Sequence, residues 1–106
     1  MTRDEIIKAL RRFKEGNQKK YRIEKIGIFG SSARGDMNTE SDIDVVVVLE
    51  KQDLFNLIGI KQDLFNLIGI KQDLEEQFGV QVDIVSYREK MNDYLKRKIE
   101  DEAVYA

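Results

Sequence analysis

Ile26-Gly27-Ile28-Phe29-Gly30-Ser31-Ser32-Ala33-Arg34-Gly35 runs directly into Asp36-Met37-Asn38-Thr39-Glu40-Ser41-Asp42-Ile43-Asp44-Val45-Val46-Val47-Val48, and this stretch decides the fold. Ile26, Ile28 and Phe29 read as the end of a strand. Gly30 supplies backbone freedom at a turn, and Ser31 or Ser32 is suited to cap a short helix, where unpaired N–H groups attract anions. Asp42 and Asp44 open a β-branched run that closes at Leu49. Strand side chains alternate, so the two aspartates project from one face, roughly 6 to 7 Å apart at about 3.3 Å per residue. Like charges that close repel unless a cation lies between them, and hard carboxylate oxygens favour Mg²⁺. An isolated Asp-x-Asp is equally readable as an acidic strand start in solvent.

Outward from this stretch, Ile6, Ile7, Leu10 and Phe13 recur at helical spacing, predicting an amphipathic helix over Asp4 to Lys19 that stops at Gly16-Asn17. Arg22 to Phe29 is expected as the first strand, Ser31 to about Met37 as a short helix, and Ile43 to Leu49 as the second strand. Residues 53–77 read as a long helix and Gln81 to Ser86 as a third strand. A last helix is expected over Glu89 to Glu102, with Met91, Tyr94, Leu95 and Ile99 on its inner side. Second strand, long helix and third strand make a crossover unit, so those strands should run parallel. Asp83, the lone acid of the third strand, could then meet Asp42 and Asp44 on one sheet face.

With 106 residues, the chain is expected to be a single domain, 1–106, with one core and no room for a separate substrate domain. Without cysteine there is no disulfide framework, and with no histidine either, a structural zinc site is excluded. No apolar run approaches a membrane span and the N-terminus lacks a signal-peptide core, so a cytoplasmic location is expected. Charge is uneven: residues 1–25 carry nine Lys or Arg against four acids, and residues 26–85 four against eleven. The basic end lacks the interleaved aromatics of a single-strand binding surface, so it reads as a solvated helix rather than a nucleic-acid interface.

Gly30-Ser31, ten residues, then Asp42-Ile43-Asp44, with Ala33-Arg34-Gly35 and Ser41 between, resembles the signature of the DNA polymerase β-like nucleotidyltransferases. The short chain is similar to the minimal nucleotidyltransferases, the MntA-type antitoxins paired with HEPN-domain toxins. The resemblance implies an α/β (α+β) nucleotidyltransferase fold, α-β-α-β-α-β-α, with a small mixed sheet flanked by helices. It implies that Asp42, Asp44 and Asp83 are catalytic and bind two Mg²⁺ ions, and that Gly30 and Ser31 hold the phosphates of ATP or another NTP. Arg34 either adds a phosphate contact or pairs with an acid such as Asp36 or Glu40. The implied activity moves a nucleoside monophosphate, AMP if the substrate is ATP, to a hydroxyl of a HEPN-type toxin. The alternatives are a non-catalytic binding antitoxin and transfer to RNA or a small molecule.

One segment departs from that family: Lys-Gln-Asp-Leu-Phe-Asn-Leu-Ile-Gly-Ile occupies 51–60 and again 61–70, and Lys71-Gln72-Asp73-Leu74 begins it a third time. Two ten-residue copies are too few and too short for a solenoid, so a tandem duplication is the simplest account. Ten residues turn a helix by about 1000°, 80° short of three turns, so each copy faces differently. Leu57, Ile60, Leu64, Leu67, Ile70, Leu74 and Phe78 nevertheless keep helical spacing. We expect one unbroken helix extended at its N-terminal end, its excess covered by a second copy of the chain. Gly59 and Gly69 inside it each cost about 1 kcal/mol relative to alanine unless packing compensates.

Overall fold

The computed structural model describes residues 1–35, 42–50 and 57–106, and the side chains of all of these except 57–60. The first helix, α1 (Arg3–Tyr21), starts at Thr2, whose Oγ1 accepts the Glu5 N–H at 3.2 Å while the Glu5 carboxylate accepts the Thr2 N–H at 3.3 Å. This reciprocal cap satisfies two helix-end donors at once. Asp4 and Glu5 in the first turn and Lys19 and Lys20 in the last complement the dipole. The expected stop at Gly16-Asn17 does not occur. Asn17 instead donates to the Phe13 carbonyl at 3.0 Å, and the helix ends at Arg22, in the left-handed region with φ 57°. Burial of Tyr21 in the core holds those last turns helical.

The remaining elements are β1 (Ile23–Ile28), α2 (Gly30–Arg34), β2 (Ile43–Leu49), α3 (Leu57–Phe78), β3 (Val82–Ser86), α4 (Asp93–Glu102) and β4 (Val104–Tyr105). Their strands form a mixed sheet in the order β3-β2-β1-β4. β2 and β3 run parallel, as the crossover requires, and β1 is antiparallel to both of its neighbours. The short β4 was not expected, being too brief for any periodicity. Gly27 admits it, since a Cβ there would run into the Val104 carbonyl oxygen and come within 2.8 Å of the Tyr105 Cα.

Alternation along β2 assigns the two sheet faces. Val45 and Val47 join Ile26 and Ile28 in the main core, closed by Ile6, Leu10 and Phe13 of α1 and by Ile70 and Leu74 of α3. Val46 faces the other way, packing with Phe29 and Ile99 of α4. Asp44, two positions before Val46, belongs to that second face. Within α4, Ile99 is buried and Leu95 partly so, as is Met91 just before the helix, but Tyr94 is 77% exposed, against the expectation of an inner position. α4 starts four residues later than expected, at Asp93 behind the Asn92 cap, so the inward arc is narrower.

α3 is unbroken across both repeat junctions, from Leu57 onward; the expected start at residues 53–56 lies outside the described residues, as do the side chains of Leu57 and Ile60. The apolar stripe does not continue as expected. Leu74 is fully buried while Leu64, its counterpart one copy earlier, is 57% exposed. The offset of about 80° per copy accounts for the difference. Phe65 and Ile68 are also exposed, and the inward position is taken by Asn66, whose Oδ1 accepts from Gln62 at 3.1 Å. Gly69 is compensated by packing. The Tyr21 ring lies against it, where a Cβ would come within 2.7 Å of Cε1, and the Tyr21 hydroxyl donates to Asp73 at 2.6 Å. Burial and that carboxylate push the Tyr21 hydroxyl pKa up to about 12.

These exposures separate two identical residues of the repeat. Leu74→Ala should cost about 2–5 kcal/mol and Leu64→Ala less than about 0.5 kcal/mol in urea unfolding of the otherwise unchanged chain. Equal losses would contradict the assigned register.

Candidate active site

The first half of the site is a turn against a strand start. β1 ends beside the beginning of β2, with Ile28 opposite Val45, so the chain leaving β1 passes directly over Asp44. The Phe29 N–H donates to the Asp44 carbonyl at 3.1 Å. The Asp44 N–H donates to the Ser32 Oγ, also at 3.1 Å. Both main-chain groups of Asp44 are therefore held by the β1–α2 turn. Ser32 is completely buried and does not cap α2. The N-cap position falls on Phe29, with no side-chain bond, and Ser31 and Ser32 lie inside the helix, which corrects the expected capping role.

Gly30 has φ 64°, a backbone conformation that favours glycine, and a Cβ at this position would stand 2.7 Å from the Asp44 Oδ2. The carboxylate thus occupies the space that a side chain at 30 would fill. With only five residues α2 has little macrodipole, so anion binding at this turn would depend on individual N–H groups. The helix ends at Gly35 rather than near Met37, and residues 36–41, including Asp36, Glu40 and Ser41, lie outside the described residues.

The second half of the site comes from the parallel pair. Asp83 stands in register with Asp44, and Asp42 lies two residues before Asp44 on the same chain. Asp42 and Asp83 are exposed, whereas Asp44 is half-buried. The Asp44 carboxyl is raised above its ordinary value of 3.8, first by burial and then by the charge of Asp83, with Asp42 adding to it; Lys98 and Arg34 pull the other way. The three acids share one electrostatic field. Among the described residues, no three His, Cys, Asp or Glu side chains converge on a common point that could hold a metal. The donor set nevertheless suits a hard divalent cation. Neighbouring strands lie about 4.8 Å apart, which leaves convergence to side-chain rotation rather than to backbone movement.

Arg34 pairs with an acid, Glu102 of α4, at 3.1 Å; Asp36 and Glu40, the partners expected from the sequence, lie outside the described residues. This contact bridges α2 and α4 at the mouth of a cleft of about 390 Å³ lined also by Tyr94, Arg97, Lys98 and Asp101. Of the four, the sequence singled out Tyr94 alone, and as an inner-side residue of the last helix rather than for this cleft. Their positions within α4 mark one side of a helix, and that spacing was the available signal.

A profile of the family described as nucleotidyltransferase domain matches residues 10–106. The chain belongs to this family. Two proteins of Methanocaldococcus jannaschii, each named as a candidate protein adenylyltransferase, are 33% and 32% identical to it over 117 and 105 aligned positions. Each alignment covers 98% of this chain and 97% of the relative. A solved structure described as a candidate minimal nucleotidyltransferase is 28% identical with a TM-score of 0.71, covering 98% of this chain and 95% of that one. A chain of a toxin-antitoxin crystal structure with AMP-PNP shares the fold at 23% identity and a TM-score of 0.63, covering 99% of this chain and 72% of that chain. The expected fold, a mixed sheet flanked by helices in a nucleotidyltransferase, is the observed one.

The double anchoring of Asp44 can be probed through Ser32. Ser32→Ala leaves the Asp44 N–H without its partner and should lower stability by about 1–3 kcal/mol, measured by urea unfolding. A neutral substitution would show that this N–H is satisfied in another way.

Proposed function

We propose that this nucleotidyltransferase moves AMP from ATP to a hydroxyl on a partner protein, that the partner is a HEPN-type toxin, and that the pair works in the cytoplasm. The observation that carries the reading is the in-register placement of Asp44 and Asp83 beside the Gly30–Ser32 turn. Supporting it are the protein adenylyltransferase names of its relatives and the likeness to a chain in a structure of tri-AMPylated Shewanella oneidensis HEPN toxin with MNT antitoxin (21% identity, TM-score 0.56).

In this reading Asp42, Asp44 and Asp83 would hold two Mg²⁺ ions. When bound, divalent cations of this kind neutralise the triphosphate and ease deprotonation of the attacking hydroxyl. Asp83, exposed and in register with Asp44, would accept the hydroxyl proton. The Gly30–Ser32 turn would orient the β- and γ-phosphates, and Arg34 would add a phosphate contact at the cleft mouth. The acceptor oxygen forms its bond to the α-phosphorus, the bond from that phosphorus to the bridging oxygen breaks, and pyrophosphate leaves. The single domain 1–106 would carry all of this, with the acceptor presented by its partner.

The test is incubation with Mg²⁺, each NTP and a candidate HEPN protein, followed by mass spectrometry of the partner. AMP addition is expected from ATP, with loss of at least about 100-fold in Asp42→Asn, Asp44→Asn and Asp83→Asn chains that still fold. Unmodified partner bound tightly by both native and variant chains would identify a non-catalytic antitoxin. Nucleotide added instead to RNA or a small molecule would replace the acceptor.

The exposed Leu64, Phe65 and Ile68 of α3 support the additional reading that a second copy of the chain covers this helix. Deleting residues 61–70 recreates the same local junction, Ile60-Lys71, and should convert a dimer into a monomer in sedimentation. The same association state in both forms would rule this interface out.

A further inference from the structure

The helix α2 is too short to hold itself. Isolated helices of fewer than about 12 residues are marginal in water, and this one has five, with no side chain capping its first turn. Its place therefore depends on bonds to other elements. At its beginning, the Phe29 N–H donates to the Asp44 carbonyl and the Ser32 hydroxyl accepts the Asp44 N–H. At its end, two guanidinium groups act at consecutive residues. Arg3, the first residue of α1, donates from Nη1 to the Ala33 carbonyl at 3.2 Å, and Arg34 donates to the Glu102 carboxylate of α4 at 3.1 Å.

The two latches differ in what else is asked of them. Arg34 lines the cleft, and the reading above gives it a phosphate contact, so its guanidinium is shared between Glu102 and the substrate. Arg3 comes from the helix layer on the sheet face opposite Asp44, where Ile6 and Leu10 of the same helix are fully buried and Ala33 joins their core. The reciprocal Thr2–Glu5 cap fixes the turn from which Arg3 extends. A charge-assisted bond to a carbonyl at the negative end of a helix is stronger than a neutral one, and breaking it returns that carbonyl to water. Its loss would release the end of α2 and, through Ser32, the main chain of Asp44.

We propose that Arg3 is a positioning residue for the transfer reaction: it fixes the end of α2, so that the Gly30–Ser32 turn and Asp44 keep their mutual geometry while Arg34 engages the nucleotide. This rests on the nucleotidyl-transfer reading above and adds to it a residue from the far layer of the fold. Arg3 acts through Ala33 and Ser32 and takes no part in contacting the substrate.

The experiment is amide hydrogen exchange by NMR on the full chain, for native, Arg3→Ala, Arg3→Gln and Arg3→Lys proteins, with the affinity of each for ATP in Mg²⁺ measured by calorimetry. The N–H groups of Phe29, Gly35 and Asp44 report the turn and α2, and those of Val46 and Val47 report the interior of β2. The expected result in Arg3→Ala and Arg3→Gln is exchange at least about tenfold faster at the first three, unchanged exchange in β2, and ATP affinity lower by a similar factor. Arg3→Lys, which can still donate to the Ala33 carbonyl, should restore most of the protection. If native protein binds ATP and both neutral variants exchange and bind as it does, Arg3 is not a positioning residue, while the transfer reading stands. Faster exchange throughout, β2 included, would make Arg3 a general stabiliser and also overturn the proposal, as would a loosened turn with undiminished ATP affinity. If native protein binds no ATP, the transfer reading itself fails, and the role of Arg3 in it, whatever the exchange shows.

Discussion

Asp44 is held by its own peptide groups, the N–H by the Ser32 hydroxyl and the carbonyl by the Phe29 N–H, and the geometry of the site follows from that pair of bonds. They tie the turn after β1 to the first residues of β2. Because β1 is antiparallel to β2 and β3 is parallel to it, the end of one strand and the beginnings of two others fall at the same edge. Three segments far apart in sequence, around residues 30, 44 and 83, are neighbours for this reason alone. Reversing β3 would carry Asp83 to the opposite end of the sheet.

The two faces of that sheet divide the work. The face under α1 and α3 is closed by aliphatic and aromatic side chains and supplies most of the apolar burial. The opposite face carries only a small cluster around Phe29, Val46 and Ile99, and the carboxylates stand beside it. Asp44 is half-buried among like charges, an arrangement that raises its pKa and opposes its ionisation. Such an arrangement is tolerable because the cost is borne by a sheet whose other side is fully packed.

Much of this was legible in the sequence because it depends on local pattern. The valine run Val45 to Val48 sets β2, and the crossover length sets the parallel pair. The spacing from Gly30 to Asp44 carries the family resemblance. What could not be read depends on contacts between distant residues. The persistence of α1 past Gly16-Asn17 rests on where Tyr21 is buried, and nothing local indicates that α3 lies there. Ser32 looks like a cap because a serine after a glycine turn usually is one, and its bond to Asp44 exists only once β1 and β2 pair. Tyr94 has the spacing of an inner residue, but the direction of α4 over Val46 turns it outward. Gly27 in a strand allows close approach of another backbone without naming it, so β4 remained hidden.

The pairing of Tyr21 with Gly69 and Asp73 has an implication for how α3 finds its place. Because the repeat is identical, Gly59 and Asp63 offer the same glycine and carboxylate four residues apart, ten positions earlier. A ring that could rest on either pair receives no instruction from the pair itself. The deciding information lies in the unrepeated residues after Leu74. The Glu75 carboxylate accepts the Val82 N–H at 3.1 Å, its carbonyl accepts the Gly79 N–H at 2.9 Å, and Gly79 turns the chain with φ 71°. A slip by one copy would push ten extra residues into the connection to β3 and break that tie. The helix is therefore indexed from its C-terminal end, so the tolerance of the chain for a repeated segment depends on a short hinge that the repetition left unduplicated.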